Sequence, residues 1–103
     1  MLFKKRPTLD TPMDHFMHRN DLSVDERAVL DVYLTGVSHA LSGLNAVQTS
    51  NGREALFKPA PGHGLDAPDI EAIVEEFLKQ RPDMQTQPLG LCAVMAVMQR
   101  FPV

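Results

Sequence analysis

The stretch "DVYLTGVSHALSG", Asp31 to Gly43, decides how the chain folds. With its neighbours it places Leu30, Tyr33, Leu34, Val37, Leu41 and Leu44 at helical spacing, as expected of one apolar face. It also holds two glycines, Gly36 and Gly43, seven positions apart. Each costs a helix ~1 kcal/mol against alanine. They share a stripe with Val29, Ala40 and Val47, and small residues on one stripe let a second helix approach closely. The expectation is that another helix packs there. A third stripe carries Asp31, Thr35, Ser38, Ser42, Asn45 and Thr49, and after Asp31 it has no charge. Solvated helix faces usually carry Lys and Glu. Thr35, Ser38, Ser42 and Asn45 are therefore a candidate self-association face, alongside the plainer reading that short polar groups face water.

Outward from this segment the helix boundaries are marked by capping chemistry. "SVDE" at Ser23–Glu26 has capping-box form, so a helix is expected from about Val24 to Gln48. Upstream, Thr11, Pro12 and Asp14 suit a short helix over about 12–18, after a flexible segment 1–10. Downstream, Asn51-Gly52 is a turn signal. The following "GREALFKPAPGHGLD" reads as a long irregular loop, with Leu56 and Phe57 turned into the core. Asp66 caps a helix whose apolar face is Ile70, Ile73, Val74, Phe77 and Leu78, and Pro82 ends it. The last helix, "LGLCAVMAVMQRF", is apolar nearly all round and is expected at the centre. No segment alternates as a strand does. The expected fold class is all-α: one bundle of four to five helices over 11–103.

Composition narrows the function classes. At 103 residues the chain is one domain of modest stability. Apolar residues at 44% and charged residues at 22% are ordinary for a globular protein, and a net charge of −3 argues against bulk affinity for nucleic acid. The basic "KKRP" at Lys4–Pro7 is short and reads as a frayed end. Cys92 is the single cysteine, so no intrachain disulfide can form. No apolar run approaches the ~18 residues of a membrane span, and no secretory leader is visible. The chain is therefore expected to be cytoplasmic, or periplasmic if a leader has been removed.

The candidate chemical groups converge poorly. His15 and His18 lie three apart with Asp14 and Asp21 nearby, but a third firm ligand is missing, and no metal site is assigned. Cys92 lies inside an apolar helix without an activating charge, where thiols are inert. "PGHGLD" around His63 lacks the spacing and the Lys-Ser/Thr of a phosphate loop. Glu75 and Glu76 diverge on a helix. The methionines are core fillers. An enzyme needs a convergent polar cluster, and none is legible. The expectation is a binding or inhibitory module, not an enzyme, with no cofactor.

The order of three segments carries a resemblance: "YLTGVSHAL" (Tyr33–Leu41), "LFKPAPG" (Leu56–Gly62) and "IEAIVEEFLKQRPDMQTQPLGLCAVMAVMQRFPV" (Ile70–Val103). Together they resemble the Tai/Rap family of immunity proteins, which neutralise peptidoglycan amidases delivered by type VI secretion. The resemblance covers about Leu30 to Val103. Where that family often has cysteine, this chain has Leu30, Phe57 and Val103, and a leader of the family's type is not expected. Apolar groups at those places can preserve packing without a covalent link. The resemblance implies an immunity-like inhibitor with an amidase effector as protein partner. In that reading the 51–66 loop plugs the enzyme's groove through Asn51, Arg53, Glu54, Lys58 and His63. The alternative is a helical interaction module with no toxin target, a homodimer through the uncharged stripe.

Overall fold

Four α-helices and two 3-10 turns make up the fold in a computed structural model that describes residues 13–58 and 65–103. Helix α1 spans Met13–Met17, and a 3-10 turn follows at Arg19–Asp21. Helix α2 spans Val24–Ser50, α3 Ala67–Gln80 and α4 Leu89–Arg100, with a second 3-10 turn at Pro82–Thr86. Among the described residues there is no strand, and no helix is long and apolar enough to cross a membrane. The expected all-α class is the one found. The expected flexible segment 1–10 and the Thr11 and Pro12 helix start lie outside the described residues.

Capping fixes where the helices begin. The Ser23 hydroxyl accepts from the Glu26 N–H at 3.1 Å, and the Glu26 carboxylate accepts from the Ser23 N–H at 3.1 Å. Asp66 and Asp69 repeat this reciprocal arrangement at the start of α3. Each pair satisfies two N–H groups that the helix itself cannot.

Helix α3 packs against both α2 and α4, and α2 also touches α4. The core joins Met13 and Phe16 of α1, Leu30 and Leu34 of α2, and Ile70, Val74, Phe77 and Leu78 of α3 to Leu89, Cys92, Ala93 and Ala96 of α4. A smaller cluster of Leu41, Phe57 and Val97 extends it toward the far end of α2. Burial on this scale is the main stabilising term, at roughly 25 cal/mol per Å2 of apolar surface.

Two expectations about packing are corrected. Gly36 and Gly43 are exposed, and a Cβ built on either meets no atom within 4 Å. Among the described residues they seat no second helix, because α2 turns Leu30, Leu34, Ser38 and Leu41 inward and the glycine stripe lies on its far side. Helix α4 is not enclosed all round either. Its inner side is buried, yet Leu91 and Met98 remain 41% and 39% exposed. The reason is that α3, not α4, lies between its neighbours.

Candidate partner-binding loop

The polar stripe of α2 finds its partners within the chain. Helix α2 ends in a Schellman turn: the Gly52 N–H donates to Thr49 O at 3.1 Å, and the Arg53 N–H donates to Gln48 O at 2.9 Å. This turn requires a left-handed residue, which Gly52 supplies at φ 73°. The chain thereby reverses and runs back along α2. Asn45 then takes hold of it. Its Oδ1 accepts from the Leu56 N–H at 2.7 Å and the Phe57 N–H at 3.3 Å, while its Nδ2 donates to Phe57 O at 2.8 Å. An amide side chain has the donor and acceptor needed to pair with extended backbone in this way.

The grip extends on both sides of Asn45. Phe57 is 2% exposed against Leu41 and Val97, and the Lys58 N–H donates to Phe101 O at 2.9 Å. About two helical turns back along α2, the buried Ser38 hydroxyl donates to Leu65 O, where the loop rejoins the bundle. Both ends of the loop are thus fastened to α2. This corrects the reading of Ser38 and Asn45 as a self-association face, since their polar groups are already satisfied within the chain. Thr35 is half-buried, with its hydroxyl turned back to Asp31 O at 2.8 Å, and Ser42 is exposed.

Of the predicted contact residues, Asn51, Arg53, Glu54 and Lys58 are all exposed on the strapped segment, and His63 lies outside the described residues. Leu56 is half-buried. The arrangement places two cations and an anion on a backbone whose conformation is set from below.

A second polar joint was not legible from motifs. The Glu71 carboxylate is 8% exposed and receives Arg27 at 2.7 Å and Arg19 Nε at 3.2 Å. Arg19 also reaches Glu75 at 2.8 Å and lies over the Phe16 ring at 4.2 Å. The cluster ties the turn after α1 to α2 and α3. Burial pushes the Glu71 carboxyl above the usual carboxylate range; Arg27 opposes this, and Asp31 beside it adds to the rise. A signal existed in the sequence, because Glu71 precedes Val74 and Leu78 at core spacing on α3.

Elsewhere, a cleft of about 570 Å3 lies between α3 and α4, with Ile73, Phe77 and Ala96 among its apolar lining and Asp69, Glu76 and Arg100 among its polar lining. Gln99 crosses to Gln80 at 2.8 Å beside it. The buried Cys92 thiol donates to Met84 O at 3.4 Å, and burial pushes its pKa up, which disfavours the reactive thiolate. His15 and His18 are exposed, and among the described residues no group of three metal-ligating side chains comes together. Comparisons with protein-family models, curated proteins and solved structures find no match to the chain.

Proposed function

We propose that the chain is an inhibitor-type protein-binding module that offers the segment 51–58 to the groove of a partner enzyme. The observation that carries this reading is the Asn45 clamp. Three hydrogen bonds from one side chain, with Phe57 anchored beneath, hold the backbone at Leu56 and Phe57 before any partner arrives. A segment ordered in advance loses less conformational entropy on binding, and this raises affinity without new contacts. Arg53, Glu54 and Lys58 would then form the polar contacts, with Asn51 at the turn. The resemblance to amidase immunity proteins supplies the candidate partner, a secreted peptidoglycan amidase encoded beside this chain.

The test is isothermal titration of the purified chain against that amidase. The expected result is micromolar or tighter binding, weakened about tenfold or more in the double variant Arg53→Ala, Lys58→Ala. Absence of binding at micromolar concentration to any neighbouring amidase would overturn the proposal.

A further inference from the structure

The strapped segment borders the cleft between α3 and α4. Phe57 packs with Leu41 and Val97, and Leu65, Ile73 and Phe101 lie against the same cluster. Those three also line the cleft. The Lys58 N–H donates to Phe101 O at 2.9 Å, which ties the backbone of the segment to the cleft's edge. Segment and cleft are therefore parts of one continuous surface. Area makes this matter. A stable protein–protein interface takes about 800 Å2 and roughly 20 residues from each partner. The segment 51–58 offers eight residues, of which Phe57 is buried. A partner that engages the segment must cover its neighbours as well.

The cleft has the chemistry of a socket. It holds about 570 Å3, room for a long side chain and the residues beside it. Phe77 and Ala96 are buried at its base, and Ile73 is half-buried. The Gln99 amide donates to Gln80 at 2.8 Å and ties the two walls together. Asp69, Ile73, Glu76 and Gln80 follow one another at four, three and four positions, so they form one stripe along α3. Helix α3 carries three glutamates. Glu71 holds Arg19 and Arg27, and Glu75 holds Arg19. Glu76 differs: it is exposed and, among the described residues, joins no ion pair. Arg100 is the one cation among the lining residues, and its guanidinium lies over the Phe101 ring at 5.0 Å. An apolar base beside an unpaired carboxylate suits a side chain with an apolar stem and a cationic head.

From these observations we infer that the α3–α4 cleft is the second half of the docking surface and receives a basic side chain of the partner enzyme, an arginine or a lysine, with its stem on Ile73 and the cleft base and its head on Glu76. The inference rests on the reading of 51–58 as the binding segment and adds to it the charge of the partner's facing residue. The chain's net charge of −3 acts in the same direction, since it attracts a basic surface.

Isothermal titration of the full chain against the amidase encoded beside it tests the two halves separately. Glu76→Gln is expected to weaken binding about tenfold, and Glu76→Lys further, because it sets a cation against a cation. Circular dichroism and melting temperature should stay unchanged, since the Glu76 side chain is exposed and unpaired. Asp25→Asn removes the same charge from an exposed site at the opposite end of α2 from the segment. Its affinity should stay within about twofold of the parent's. Equal losses in Glu76→Gln and Asp25→Asn would reduce the effect to diffuse attraction and overturn the socket. Unchanged affinity in Glu76→Lys, with Arg53→Ala, Lys58→Ala still weakened, overturns the socket and leaves the loop reading standing. Absence of binding by the parent chain overturns both.

Discussion

Helix α2 is joined to the rest of the chain by two buried polar joints of opposite design. Near its N-terminal end, Arg19 and Arg27 converge on the Glu71 carboxylate. Near its C-terminal end, the neutral Asn45 amide and Ser38 hydroxyl hold the returning loop. The charged joint carries a desolvation cost that its ion pairs must offset, and burying such a pair is often no better than burying apolar groups. The neutral joint carries little of that cost, because each polar atom simply exchanges water for backbone. Removing one member should therefore hurt the charged joint more than the neutral one, even though the intact pairings contribute comparable net stability.

Glu71→Ala gives the largest expected effect. It leaves the Arg19 side chain, 14% exposed, and the nearby Arg27 without their shared carboxylate. Arg19 keeps Glu75 at 2.8 Å and the Arg27 side chain is 36% exposed, so the cost falls at the low end of that for a broken buried pair, about 3 kcal/mol. Urea unfolding at neutral pH should show a loss of this size with an unchanged m-value. A loss under ~1 kcal/mol would mean that water already reaches both guanidiniums, and the contrast between the two joints would fail.

Asn45→Ala comes next, at about 2 kcal/mol, from two partly buried backbone N–H groups and one carbonyl left short of a partner. Its signature differs from that of Glu71→Ala. Amide exchange should accelerate at Leu56 and Phe57 while the core amides of α3 and α4 keep their protection, because the clamp holds one segment and not the bundle. Uniform acceleration would show that the loop and the bundle open together. If the loop is the binding segment, the same variant should also weaken partner binding without altering any contacting side chain.

How far each joint could be read from residues alone follows from its physics. The capping boxes at Ser23 and Asp66, the apolar spacing of Ile70, Val74 and Phe77 and the Gly52 turn are local patterns, and the helices stand where those patterns place them. The exposure of Asn51, Arg53, Glu54 and Lys58 follows from their position in a loop. Asn45 could be seen as an uncharged residue on an odd stripe, but its partner Phe57 depends on a chain reversal that helical periodicity does not encode. Gly36 and Gly43 show the same limit. A stripe of small residues says that close approach is possible, while the rotation of α2 about its axis decides whether the approach comes from this chain or from another. That rotation is set by Leu30, Leu34 and Leu41 together with Ser38, and it leaves the glycines outside.

The smallest expected effect concerns pH, and it separates the joints most cleanly because only the charged one titrates. The groups facing Glu71 are Arg19 from the turn after α1, Arg27 and Asp31 from α2, and Glu75 beside it on α3. Burial dominates among these influences, so the folded protein holds the Glu71 proton at a pH where the unfolded chain, with its ordinary glutamate pKa of about 4.3, has released it. Between that ordinary value and the raised folded value the native state binds more protons than the unfolded state. Stability attributable to Glu71 therefore falls as pH rises through this window and is level above it. Glu26 and Asp83 act in the opposite sense, since hydrogen bonds from Ser23 and Arg81 hold their carboxyls low; their contribution is lost at pH values below the ordinary range. Glu71→Gln keeps a carbonyl for Arg27 and removes the titration. Its unfolding free energy, followed by urea across the acid range, should lose the downward slope above the ordinary carboxylate value and keep the rise below it. A profile for Glu71→Gln that runs parallel to the parent's throughout would place the slope on another group and leave the buried carboxylate fully ionised in the folded chain.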